Sequence, residues 1–158
     1  MFEKVLEIYK SKGLTLAFAE SCTGGWLAKA VTDNPGASEV FLGSLVTYAN
    51  EAKENLLGVP MDVIEEYGAV SYTVARAMAE GVAAALMADV SLAVTGIAGP
   101  GGGSAEKPVG TVYMAVCAKG HTSVRLLRIG DGNYSRDKIR RAVLEIAEYR
   151  LIMTAEEL

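Results

Sequence analysis

Two periods alternate along the chain. Phe2, Val5, Leu6 and Tyr9 recur at i, i+3, i+4 and i+7, and Gly13 stands where a left-handed C-terminal cap belongs, so the spacing predicts an amphipathic helix over 2–12. Leu14–Ala19 is an apolar run of strand length, closed by the polar, glycine-containing turn Glu20–Gly25 and followed by a helical pattern over Trp26–Thr32. Asp33-Asn34-Pro35-Gly36 stops that helix. Val40–Tyr48 then reads as a second strand, and Ala49–Leu57 as a helix ending before Gly58-Val59-Pro60. Between Ser71 and Ala88 the residues Val74, Ala77, Met78, Gly81, Val82, Ala85 and Leu86 keep helical spacing behind a Ser71 N-cap, and their small size predicts close packing on a sheet. Val90–Thr95 is a buried-strand run; Val109–Ala118 and Thr122–Ile129, joined by Lys119-Gly120-His121, predict a hairpin. A Ser135-capped helix with Ile139, Ala142, Val143, Ile146 and Ala147 inward closes the pattern.

Helices alternating with about five strands, at least one of them antiparallel, predict a three-layer α/β/α sandwich around a mixed, mostly parallel sheet. With 158 residues, the chain is expected to be one domain over 1–158. Half of it is hydrophobic (51%) and 22% is charged, a globular balance rather than a disordered one. A net charge of −4 provides no field for a nucleic-acid backbone, so a small molecule is the expected ligand and nucleic acid is not. No apolar run approaches the roughly 20 residues that span a bilayer, and the first residues show no export signal, so a cytoplasmic protein without membrane contact is expected. Cys22 and Cys117 form neither a CxxC unit nor a disulfide framework, which suits a reducing compartment.

Three segments could carry chemistry. Ser21–Gly25 leads from a strand into a helix, and the glycines of Thr23-Gly24-Gly25 would let a phosphate or carboxylate approach free main-chain N–H groups; equally, Thr23 could simply cap the helix. Thr95-Gly96-Ile97-Ala98-Gly99-Pro100 opens a long glycine-rich loop at the end of a buried strand, the edge where open α/β sheets bind ligands, although a mobile surface loop has the same composition. Gly102-Gly103 stands where a P-loop needs Lys-Ser/Thr, and the glycines do not continue as a dinucleotide fingerprint, so ATP and NAD are disfavoured. In Val46–Lys53, Tyr48 and Lys53 can face one cleft, where a desolvated lysine could act as a general base; a solvated surface lysine fits the same spacing. The one histidine, His121, falls in a hairpin turn, which leaves a Ser-His-Asp triad or a multi-histidine metal site without support. Cys22 lacks an imidazole partner and reads as a small core residue.

Ala19–Gly25, Val46–Lys53 with Leu57-Gly58-Val59, Gly68–Ser71, and Thr95–Pro100 continuing through Glu106–Val112 together resemble the CinA C-terminal-domain family, the nicotinamide-nucleotide amidohydrolases. The resemblance covers nearly the whole chain. It implies an α/β/α fold, usually a homodimer or higher oligomer, and hydrolysis of the carboxamide of nicotinamide mononucleotide to nicotinic acid mononucleotide and ammonia, with no cofactor and no metal. Carried over motif by motif, it implies that Ser21 is the nucleophile, Lys53 its base and Tyr48 a neighbour that positions or relays the proton. Thr23, Gly24, Gly25 and the loop Thr95, Gly96, Ile97, Ala98, Gly99, Pro100 would hold the substrate. The family pattern Gly-Asp-Arg is interrupted here, as Gly130-Asp131-Gly132-Asn133-Tyr134-Ser135-Arg136, so either Arg136 or Arg140, one helical turn later, is expected at the substrate. A non-catalytic nucleotide- or phosphate-binding module would use the same turn and loop, and only the joint need for Ser21 and Lys53 separates the two.

Overall fold

The computed structural model describes all residues from Met1 to Leu158. In chain order the elements are α1 (Glu3–Lys12), β1 (Leu16–Glu20), α2 (Trp26–Thr32), β2 (Phe41–Val46), α3 (Asn50–Leu57), α4 (Met61–Tyr67), α5 (Tyr72–Leu86), β3 (Val90–Gly96), β4 (Thr111–Ala118), β5 (His121–Arg128) and α6 (Arg136–Glu156). The end signals work as read. Gly13 takes the left-handed conformation and bonds back to Tyr9 and Lys10, while Ser71 Oγ and Ser135 Oγ accept from the N–H groups of Val74 and Lys138.

The sheet order is β2-β1-β3-β4-β5. β1 pairs in parallel with β2 and β3, and the hairpin β4–β5 adds two antiparallel pairings, so the sheet is mixed, with β4 running against the common direction of the other four strands. The loop over 97–110 and the tight turn at Lys119-Gly120 return the last strands directly, with no crossover helix. α1, α2 and α6 cover one face over a core containing Phe2, Phe18, Leu92, Met114 and Val143. α3, α4 and α5 cover the other, where the sheet presents Ala17, Ala19, Ala93 and Ala115 to Met78, Ala79 and Val82. These alanines bring α5 close to the sheet. α3 in turn lies so close to α5 that a Cβ on Gly81 would stand 2.1 Å from the Leu57 carbonyl oxygen. No helix is long and apolar enough to cross a membrane.

β1 begins at Leu16 rather than Leu14 and β2 ends at Val46 rather than Tyr48, and two further elements differ from the sequence pattern. Residues 61–67 form α4 after Pro60, a short helix in which Ile64 is the buried residue, too brief for periodicity to reveal. β4 begins at Thr111 rather than Val109, because Gly110 turns through a positive φ of 93° and the Pro108 carbonyl accepts from both the N–H and the hydroxyl of Thr111.

Strand alternation decides what reaches each face. On β1, Leu16 and Phe18 pack toward α1 and α6 while Ala17 and Ala19 pack toward α5, so Glu20 belongs to the first face and Ser21 to the second.

Candidate active site

Glu20 is fully buried at the end of β1. Its carboxylate accepts from the N–H groups of Gly25 and Leu27 at 3.0 Å and of Ala28 at 2.9 Å, and from the Ser44 hydroxyl at 2.9 Å. The start of α2 is therefore already capped by a carboxylate of the chain itself, and of the N–H groups in Thr23-Gly24-Gly25 those of Gly24 and Gly25 are engaged within the chain. Thr23 does not cap the helix either; its buried hydroxyl has no hydrogen-bond partner. Gly24 donates to the Ser21 carbonyl, which leaves the N–H groups of Cys22 and Thr23 as the main-chain donors beside Ser21 with no main-chain acceptor. An open cleft of about 390 Å³ does adjoin the turn, lined by Gly24, Gly25, Trp26, Lys29, Asp137 and Arg140, so cationic side chains face it in place of a helix terminus.

On the opposite face, Lys53 of α3 reaches down to Ser21. The lysine is 1% exposed, and its Nζ lies 3.2 Å from Ser21 Oγ, 2.7 Å from the Thr47 carbonyl oxygen and 3.3 Å from the Tyr48 carbonyl oxygen. No carboxylate pairs with it among the ion pairs of the structure. Burial pushes its pKa below the ordinary lysine value, favouring the neutral amine. A neutral amine has two N–H bonds and one lone pair. Nζ donates to the Thr47 and Tyr48 carbonyls and to Ser21 Oγ; once it is deprotonated, with its two remaining N–H groups on the carbonyls, its lone pair would face the Ser21 hydroxyl, the arrangement that activates a serine. Cys22, next in the chain, is buried and its thiol is pushed up to about 11, mainly by desolvation, so it stays protonated and unreactive.

Neighbouring loops close around this pair. Glu20 is level with Val46 on β2 and with Val94 on β3, so Thr47, Ser21 and Thr95 follow side by side across the sheet edge. The Thr95 hydroxyl donates to the Ala69 carbonyl at 2.8 Å, tying β3 to the loop before α5. The Tyr48 phenol is 62% exposed and bonds to Arg136, not to Ser21 or Lys53; what Tyr48 gives to the lysine is its carbonyl. Arg136 donates to Tyr48 Oη at 3.0 Å and to the Gly99 carbonyl at 2.8 Å, bridging the two loops. Lys107 ties the far end of the glycine-rich loop to the last turn of α4 through the Tyr67 carbonyl at 3.1 Å, so that loop is strapped to two helices rather than loose. Arg140 donates to the Thr23 carbonyl at 2.7 Å and lies over the Trp26 ring, with its Nε buried and unpartnered. Both arginines thus border the site from different sides, while it is Arg141 that makes the surface ion pair, with Asp137.

The CinA C-terminal domain family model matches residues 1–154. The chain belongs to this family. It is 56% identical over 136 residues to a CinA-like protein of Geobacter sulfurreducens, an alignment covering 86% of this chain and 32% of that protein. A CinA-like protein of Gloeobacter violaceus is 52% identical over 135 residues, covering 85% of this chain and 32% of its own length. The chain thus spans about a third of the curated relatives it matches. Among solved structures, a competence/damage-inducible protein from Agrobacterium tumefaciens superposes with a TM-score of 0.91 at 43% identity, covering 95% of this chain and 90% of that one. A CinA superfamily protein from Klebsiella pneumoniae gives 0.92 at 28% identity, with 98% and 95% covered.

Within this CinA domain, two functional contributions escaped the sequence reading. One is Glu20, whose reach to the start of α2 resembles no i, i+3 capping signature. The other is the pair of carbonyls at Thr47 and Tyr48, which the sequence shows only as residue names although it is the main chain that holds Lys53.

Proposed function

We propose that this CinA domain is a Ser-Lys amidohydrolase that converts nicotinamide mononucleotide to nicotinic acid mononucleotide and ammonia. The observation that carries the reading is the 3.2 Å contact between Ser21 Oγ and a buried, carboxylate-free Lys53 Nζ. Lys53 takes the Ser21 proton as Oγ bonds to the carboxamide carbon, and the oxyanion that forms is met by the unengaged N–H groups of Cys22 and Thr23. Lys53 then passes that proton to the leaving nitrogen; the C–N bond breaks, ammonia departs, and an ester to Ser21 remains for water to hydrolyse. The substrate class comes from the resemblance, and the cleft beside Gly24 and Gly25 supports it: Arg140 offers a cationic partner for a phosphate, while Lys29 is paired with Asp33.

The test is ammonia release from nicotinamide mononucleotide by the parent protein and by Ser21→Ala, with free nicotinamide and glutamine as control amides. Release from the mononucleotide alone, abolished in Ser21→Ala while the variant still binds the mononucleotide, is the expected result. Binding without release by the parent would convert the reading to a non-catalytic nucleotide-binding module.

A further inference from the structure

One group beside Ser21 and Lys53 has no task in the steps above. Thr47 is fully buried. Its N–H donates to the Glu20 carbonyl at 2.8 Å and its carbonyl accepts from Lys53, yet its hydroxyl has no hydrogen-bond partner. Parallel pairing sets Thr47 next to Ser21, about 4.8 Å away across the strands, and Thr95 at the same distance on the other side. Val46 lies against Gly25 on the α2 side of the sheet, so alternation turns Thr47 to the side where Lys53 meets Ser21. The Thr95 hydroxyl is engaged by Ala69, but that of Thr47 is free. Shape alone would be served equally by valine, which has the same branching and no polar atom to leave unbonded.

The second half of the reaction needs such a group. A water that attacks the ester on Ser21 must lie against the acyl carbon and within reach of the Lys53 lone pair. A water held inside a protein makes about three hydrogen bonds. Lys53 supplies one, and the unpartnered hydroxyl on the neighbouring strand, shut off from solvent in the free protein, is left to supply another once the acyl group is in place.

We infer that Thr47 is a positioning residue that holds the hydrolytic water through its hydroxyl; the inference rests on the amidohydrolase reading. The water oxygen bonds to the acyl carbon and its proton passes to Lys53. The bond from that carbon to Ser21 Oγ then breaks, Lys53 returns the proton to Oγ, and the nicotinic acid mononucleotide leaves, losing its carboxyl proton to solvent.

Rapid-quench kinetics of Thr47→Val, Thr47→Ala and Thr47→Ser on nicotinamide mononucleotide, with intact-mass spectrometry of the quenched protein, test this. Val and Ala should each release about one equivalent of ammonia per site quickly and then turn over about 100-fold more slowly than the parent, with the acyl adduct on Ser21 accumulating. Ser should restore parent-like turnover, and Val should melt no lower than the parent, because it removes a hydroxyl that bonds to nothing. Steady-state rates of Val and Ala within twofold of the parent, or slow turnover without burst or adduct, would overturn the role of Thr47 alone. Absence of ammonia from the parent would overturn the amidohydrolase reading and this inference with it.

Discussion

Glu20→Ala removes one acceptor from four donors at once, three main-chain N–H groups of the α2 turn and the Ser44 hydroxyl. Their cost is unequal. The bond to Leu27 is buried, whereas those to Gly25, Ala28 and Ser44 are only partly so, and water can replace the carboxylate there. One stranded buried donor costs about 1–3 kcal/mol, and weakening the other charge-assisted bonds adds a comparable amount, giving about 4 kcal/mol in all. For a domain of this size that is a fall in melting temperature of about 8–16 °C. Glu20→Gln keeps the shape and one acceptor oxygen but turns an NH2 group toward one oxygen's donors, so it should lose about half as much. Guanidinium titrations and thermal melts measure both variants, and hydrogen exchange should show the Leu27 and Ala28 amides released first. A Glu20→Ala variant within 1 kcal/mol of the parent, or with protection at those amides intact, would refute the capping argument.

Burial lowers the Lys53 pKa, so between that value and the ordinary lysine value the folded state binds fewer protons than the unfolded chain, and stability rises with pH. Lys53→Met lacks this slope; in guanidinium titrations from about pH 7 to about pH 10 the parent should gain stability relative to the variant, and a constant difference would show that Lys53 is not desolvated. Turnover by the parent should rise through an acid-side limb at a pH below the free lysine value of about 10.4, and a pH-rate profile flat from about pH 5 to 9 would argue against a titrating lysine base. Cys22→Ala should retain ammonia release to within about twofold, since the thiol stays protonated; loss comparable to Ser21→Ala would make the cysteine the nucleophile. Gly81→Ala improves helix propensity by about 1 kcal/mol but forces a methyl group against the Leu57 carbonyl, so chemical denaturation should record a net loss of about 1–3 kcal/mol, and a stabilised variant would mean that α3 is free to shift.

Much of this architecture is legible locally. The helices over 3–12, 72–86 and 136–156 announce themselves by apolar spacing and by Gly13, Ser71 and Ser135 at their ends. Residues 61–67 do not, because a helix that buries one side chain leaves no period to detect. The Ser21–Lys53 pair is visible only through motif resemblance, since nothing in the intervening residues says that α3 descends onto β1; the anchoring of Nζ comes from contacts with Thr47 and Tyr48. Likewise the spacing that suggests an anion site at Gly24-Gly25 is real, but Glu20, in plain view four residues earlier, occupies it. A side chain at the end of a strand has two faces to choose from, and only the register of the whole sheet selects one.

On the amidohydrolase reading proposed above, that choice makes catalysis a sensitive reporter of correct assembly. Glu20 and Ser21 are consecutive residues sent to opposite faces of one strand, one beneath α2 and the other against Lys53. Were β1 to slip by a single position while folding, the carboxylate would swing toward the lysine and the hydroxyl would disappear under α2. Such a chain would hold an ion pair in place of a nucleophile and a hydroxyl where a helix needs an anion. A near-native misfold could remain compact and yet be inert, so specific activity, rather than compactness or helical content, is the property that discriminates properly registered molecules in a refolded preparation.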